Sequence, residues 1–312
     1  MGAKGAQARF GNLLTAMVTP FNADESLDLA RAGELARMIL DEGSQGLIVN
    51  GTTGESPTIS RDERCSLFQA VIDAVADRRD RISLVANVGD NCTADSVDFA
   101  RRVAKLGVDG LMVVTPYYNK PPQEGLYRHF SAVAAAVDLP IVLYNIPGRC
   151  VINIEPDTII RLARDVDNIV AVKQANPDMD QLDRIIAGVG AFRDDFEVLS
   201  GDDALTLDMM DRGGTGVIST IGNIASGGMR AMVDAQLAGD TTRARTIESA
   251  LLPLMDALFI TANPIMVKRA LELRGFPVGP LRLPLLTATD EQTEYLRPIL
   301  EDAYDKQKAL DL

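Results

Sequence analysis

Histidine and cysteine are scarce in this chain. There is one histidine, His129, and the three cysteines, Cys65, Cys92 and Cys150, lie far apart with no C-x-x-C among them. A zinc site and a disulfide framework are both disfavoured, and no metal is expected. Lysine is sparse too, with seven in 312 residues, and 44 carboxylates against 31 Lys and Arg leave a net charge of −13. Such an acidic surface argues against nucleic acid or an anionic membrane as partner. It does not argue against a small anionic substrate, which a few local cations can hold. No run of about 18 apolar residues occurs, so no membrane span is expected. The opening MGAKGAQARFGN has no apolar core of a secretion signal, and the expectation is a cytoplasmic protein. Any chemistry then falls to lysine, tyrosine, threonine, arginine and carboxylates.

What is present is a repeating strand–helix pattern. Short apolar, β-branched runs recur at 13–18, 46–50, 82–88, 110–114, 140–145, 169–173, 196–200 and 216–220. Their nearly continuous apolar character suits strands buried on both faces of a parallel sheet. Between most of them lie stretches of helical periodicity, at 29–42, 62–77, 94–105, 123–137, 156–165 and 179–188. Ser60 with Glu63 makes a capping box, Thr93 stands as a second N-cap, and Gly107 follows a helix end. Eight such units predict a (β/α)8 TIM barrel. The runner-up is an open doubly wound sheet, but no G-x-G-x-x-G follows the first strand. The strand signal stops after about residue 224. Helical patterns at 227–239, 241–259, 264–274 and 290–308 then predict a small C-terminal helical domain. The expected division is a catalytic barrel over 1–224 and a helical bundle over 225–312.

A barrel carries its chemistry where strands end, at the C-terminal face. Lys173 closes an otherwise apolar sixth strand. Burial depresses a lysine's pKa, and a neutral lysine is the nucleophile that forms a Schiff base with a carbonyl substrate. The alternative is a lysine that snorkels to the rim or pairs with a carboxylate. The fifth strand ends in Tyr144, followed by a Pro147-Gly148 turn and Arg149. Tyr144 either packs with its hydroxyl satisfied or exchanges protons with an adduct on the neighbouring strand. Arg149 either makes a rim salt bridge or clamps a carboxylate. After the second strand comes GTTGES, where Gly51 and Gly54 flank Thr52 and Thr53 in a loop whose N–H groups suit a carboxylate or a phosphate. A plain βα turn would look the same, and the absence of a Walker lysine disfavours nucleotide binding. Tyr117 and Tyr118 lie between prolines after strand four, while Gly201 and Ile218 lie at strands seven and eight.

GTTGES, VTPYYNKP, LYNIPGR, the lysine of IVAVK, SGDD, GVIST and NPIMVK occur together in this order. As a set they resemble the dihydrodipicolinate synthase family, within the pyruvate-dependent class I aldolase superfamily, over most of the chain. The resemblance implies a lyase that condenses pyruvate with aspartate 4-semialdehyde in diaminopimelate and lysine biosynthesis. It needs no cofactor beyond a covalent pyruvate–Lys173 imine. It also implies roles. Lys173 forms the imine, Tyr144 moves protons, and Thr52 and Tyr118 complete a hydroxyl relay. Tyr118 reaches in from a neighbouring subunit's side, beside its pair partner Tyr117. Thr53 holds the pyruvate carboxylate, Arg149 holds that of the semialdehyde, and Gly201 and Ile218 make backbone contacts near the lysine. A homotetramer built as a dimer of dimers is implied. Gln174 departs from the acidic residue usual after the lysine, a change expected to adjust the barrel mouth. His129 is expected to be a packed or surface residue. Two other functions stay open: a sugar-acid aldolase of the same superfamily, such as an N-acetylneuraminate or 2-keto-3-deoxy acid lyase, and a non-catalytic sensor.

Many relatives are inhibited by lysine at a dimer interface. The matching positions here are Ser56, Pro57, Arg61, Arg64, Asn91, Asp95 and Tyr117. Sensitive members tend to carry histidine or glutamate where Arg64 stands, and a guanidinium opposes the ligand's ammonium. Asp95 is one methylene shorter than the usual glutamate. The expectation is a degraded site with weak or absent lysine inhibition, the alternative being that Arg61 and Arg64 simply face solvent.

Overall fold

The computed structural model describes residues 8–312. Eight parallel strands close into a barrel in sequence order: β1 (Leu13–Ala16), β2 (Gly46–Val49), β3 (Ser83–Asn87), β4 (Gly110–Val114), β5 (Ile141–Asn145), β6 (Ile169–Gln174), β7 (Glu197–Ser200) and β8 (Gly216–Ser219). Nearly every strand residue is buried, which is why the strands read as continuous apolar runs rather than alternating ones. Polarity enters at their C-terminal ends, where Asn87, Asn145, Lys173, Gln174, Ser200 and Ser219 are all buried. A core has no use for these groups, so this end of the barrel is where chemistry belongs.

The helices are α1 (Leu29–Asp41), α2 (Arg61–Ala74), α3 (Thr93–Val103), α4 (Gln123–Ala134), α5 (Pro147–Cys150), α6 (Pro156–Asp165), α7 (Met179–Gly190), α8 (Thr206–Asp211), α9 (Gly222–Leu237), α10 (Thr241–Ala257), α11 (Ile265–Leu273) and α12 (Asp290–Ala309). Ser60 caps α2 in the expected capping box with Glu63. Thr93 does not cap α3. It is the first helical residue, Cys92 stands at the cap without a side-chain bond, and the Thr93 hydroxyl meets His129 Nδ1 at 2.9 Å. A buried imidazole needs a partner, and Thr93 supplies one. Burial holds the His129 pKa down at about 4, so it is a neutral packing residue. The helix expected from Gly227 starts earlier, at Gly222, with a non-helical break at Ala225 (φ −137°, ψ 46°). Among the described residues no helix is long and apolar enough to cross a membrane.

The chain forms two compact units. One comprises residues up to Asn12 with Ser83–Ile218, and the other comprises Leu13–Ile82 with Ser219–Leu312. The first holds β3 to β7 and most of β8. In it α3, α4, α6 and α7 pack side by side along the chain, with α6 against β6. The second holds β1 and β2. In it α9 packs on β1 and α1, and α10, α11 and α12 complete a helical cluster around α9.

Candidate active site

In the first unit, β5 and β6 pair in a register that sets Tyr144 opposite Lys173 and Asn145 opposite Gln174. Strand alternation then separates two faces. Tyr144 and Lys173 meet on one, with the Lys173 amine 4.4 Å from the centre of the tyrosine ring. Lys173 is 4% exposed. Its burial, which disfavours the ammonium, lowers its pKa from 10.5 to about 8; the Arg149 charge pushes the same way, and Asp203 and Asp202 push back. The lysine is therefore buried below the rim, and its ammonium form is disfavoured. Gly201 makes room for it. A Cβ at Gly201 would stand 2.7 Å from Ala175 Cβ and 3.1 Å from Lys173 Cε.

On the other face Asn145 Nδ2 donates to Gln174 Oε1 at 3.1 Å and to Asn153 Oδ1 at 2.8 Å, and Asn145 Oδ1 accepts from the Ile154 N–H at 3.0 Å. These bonds tie the ends of β5 and β6 to the segment that follows α5, the short helix that carries Arg149. Strand alternation turns Gln174 away from Lys173 into this amide network, where a neutral side chain avoids burying a charge.

In the second unit, the loop after β2 is bracketed by two non-glycine residues in left-handed conformation, Asn50 (φ 59°) and Glu55 (φ 57°). Such conformations persist where surrounding contacts over-determine them. Here Thr19 Oγ1 donates to Gly54 O at 2.7 Å, and Arg282 N–H donates to Glu55 Oε2 at 3.1 Å. Glu55 also pairs with Lys268 Nζ at 2.6 Å, both side chains being almost fully buried. Gly54 sits at a close approach: a Cβ would lie 3.0 Å from Asn50 Cα and 3.2 Å from Met17 O, so the backbone would have to yield by a few tenths of an ångström. Thr53 is buried and Thr52 is half-buried. Among the described residues no acceptor is bonded to the Thr52 or Thr53 N–H, which leaves two adjacent donors for an anion.

The first unit thus brings Lys173, Tyr144, Gly201 and the charge of Arg149 together, while Arg149 itself is exposed on α5. Ile218 is buried in β8 as part of the core. Tyr118 is not brought in. It stands at φ 73° with 88% of its surface exposed, whereas Tyr117 is half-buried. Asn91 and Asp95 are half-buried, and Asn91 O accepts from Asn119 Nδ2 at 2.7 Å. In the second unit Ser56 is buried, Pro57 is exposed and Arg61 is half-buried. Arg64 does not face solvent freely: its Nε donates to Ile59 O at 2.9 Å and a terminal nitrogen donates to Ser56 O at 2.6 Å. Sequence reasoning missed Asp203, a buried carboxylate whose charge bears on Lys173. The doubled aspartate of SGDD was the available signal.

The model of the dihydrodipicolinate synthetase family matches residues 9–303. A 4-hydroxy-tetrahydrodipicolinate synthase of Symbiobacterium thermophilum is 53% identical over 294 residues, which is 94% of this chain and 98% of that one. A protein of the same name from Moorella thermoacetica is 50% identical over 294 residues, with the same shares of the two chains. The crystal structure of the Cyanidioschyzon merolae dihydrodipicolinate synthase with lysine bound superposes with a TM-score of 0.92, at 41% identity, covering 96% of this chain and 99% of that one. With a family match along nearly its whole length and relatives half identical to it, this chain belongs to the dihydrodipicolinate synthetase family.

Proposed function

We propose that this chain condenses pyruvate with L-aspartate 4-semialdehyde to give 4-hydroxy-tetrahydrodipicolinate, a carbon–carbon bond-forming step towards diaminopimelate and lysine. The observation that carries the reading is Lys173, a buried strand-end amine with a pKa of about 8 facing Tyr144. At pH 7 roughly a tenth of such an amine is neutral, against fewer than about one in a thousand for an ordinary lysine.

The Lys173 amine attacks C2 of pyruvate, and loss of water leaves a cationic imine. That imine draws electrons from C3, which gives up a proton to form an enamine. The enamine carbon attacks the aldehyde of the semialdehyde, whose oxygen takes a proton to become the 4-hydroxyl. The semialdehyde's amine then adds to the imine carbon and expels the Lys173 amine, closing the ring. Every step moves a proton, and no histidine lies at a strand end. Tyr144, with Thr52 and Tyr118, serves as the relay. Thr53 and its neighbouring N–H groups hold the pyruvate carboxylate, and Arg149 holds that of the second substrate. Gly201 and Ile218 line the lysine's surroundings.

The exposure of Tyr118 supports a homo-oligomer in which this tyrosine serves a neighbouring subunit, as a tetramer made of two dimers. The reading also makes the protein cytoplasmic.

The test is turnover of the purified chain with pyruvate and aspartate 4-semialdehyde, compared with N-acetylneuraminate and a 2-keto-3-deoxy acid. Preferred turnover of a sugar acid overturns the reading. Borohydride reduction in the presence of pyruvate should leave the reduced pyruvyl group on Lys173, and a label elsewhere would sink the mechanism.

A further inference from the structure

The NPIMVK segment, residues 263–268, has no part in the reaction as proposed, yet its two polar side chains are buried against the loop that carries Thr52 and Thr53. Asn263 Nδ2 donates to Thr53 Oγ1 at 2.9 Å, with Asn263 5% exposed and Thr53 3%. On the helix that follows, Lys268 Nζ reaches Glu55 Oε1 at 2.6 Å and also donates to Pro280 O at 2.8 Å. One short segment therefore grips the loop at two points, on either side of Gly54.

The polarity of the first contact matters more than its strength. A threonine hydroxyl has one proton to give and two lone pairs to receive with. The amide nitrogen of Asn263 can only donate, so it occupies a lone pair of Thr53 Oγ1 and leaves the hydroxyl proton directed elsewhere. Among the described residues no acceptor takes that proton. With the Thr52 and Thr53 N–H groups, it makes a third donor on the same loop for a carboxylate.

We propose that Asn263 is a positioning residue that fixes the Thr53 hydroxyl as a donor to the pyruvate carboxylate, and that Lys268 holds the loop in register through Glu55. This rests on the reading of Thr53 as the carboxylate holder. Asn263 touches no reacting atom; it acts through Thr53. A carboxylate in its place reverses the polarity, because it accepts the Thr53 proton and sets a negative charge behind the substrate's own.

The test compares Asn263→Ala, Asn263→Asp and Thr53→Val with the unsubstituted protein, by borohydride trapping as a function of pyruvate concentration and by steady-state KM for each substrate. Asn263→Asp is isosteric, so it keeps the packing even if Asn263→Ala does not fold. Asn263→Ala should raise half-saturation by pyruvate about tenfold, the order of one hydrogen bond to a charged group. Asn263→Asp should raise it further, with its deficit relative to the unsubstituted protein at the same pH shrinking as the pH falls and the new carboxyl protonates. The KM for the semialdehyde should stay unchanged. If Thr53→Val weakens pyruvate but neither Asn263 variant does, or if they weaken both substrates equally, the positioning role is overturned and the reading of Thr53 stands. If Thr53→Val leaves pyruvate half-saturation unchanged, both fall.

Discussion

Lys173 and Tyr144 stand directly opposite one another on adjacent parallel strands, and the lysine amine lies 4.4 Å from the centre of the tyrosine ring. Burial disfavours the ammonium there, and that desolvation lowers the lysine's pKa to about 8. Two consequences follow for pH. The rate of imine trapping should rise with pH and level off above about 8 as the neutral amine fills in. A profile that keeps rising to the ordinary lysine range would show an unperturbed lysine.

The same burial costs stability. Between about 8 and 10.5 the unfolded chain holds a proton on Lys173 that the folded chain has released, so folding stability rises with pH across that window. At pH 7 the folded ammonium is disfavoured by an amount on the order of 3 kcal/mol. Lys173→Met should therefore abolish trapping and raise the melting temperature at pH 7, with the gain shrinking as the pH climbs above 8. Equal stabilisation at pH 7 and pH 10 would remove the linkage.

Arg149 and Asp203 act on Lys173 with opposite sign. Removing the positive charge in Arg149→Ala should move the trapping profile to higher pH, and removing the negative charge in Asp203→Asn should move it to lower pH. Arg149→Ala should in addition raise the KM for the semialdehyde far more than that for pyruvate. Profiles displaced in the same direction would contradict the assignment of these charges.

Gly201→Ala places a methyl group against Ala175 and the Lys173 stem. Overpacking of this kind costs about 1–3 kcal/mol; Ala175, whose Cβ would lie at 2.7 Å, must shift, and the Lys173 stem at 3.1 Å is crowded with it. The expected outcome is a trapping rate down about tenfold or more while the unfolding transition stays cooperative. Trapping at the original rate would mean the lysine does not need this space.

Lysine should inhibit weakly or not at all. Two backbone carbonyls accept from the Arg64 guanidinium and hold it beside Ser56, where its charge would oppose an ammonium group bound next to it. Half-inhibition below about 1 mM, where binding is worth roughly 4 kcal/mol, would refute this. Arg64→His should then increase sensitivity.

The barrel was legible in the sequence because its elements are local. A parallel strand buried on both faces writes a short, continuous apolar run, and each helix between strands writes a 3.6-residue period. Lys173 was legible for the same reason, as a charge ending such a run where the core has no place for it. The sequence could not decide what folding brings near that charge. The charge of Asp203 near Lys173, the space left by Gly201 and the turn of Gln174 away from Lys173 depend on how neighbouring strands come together, which a single strand's pattern does not carry. Nor could local pattern show that Thr93 would serve His129 instead of capping its own helix. The Asn263–Thr53 bond joins residues 210 positions apart. Only closure of the tertiary structure sets which way that hydroxyl's proton points, because the direction depends on a partner from the far end of the chain.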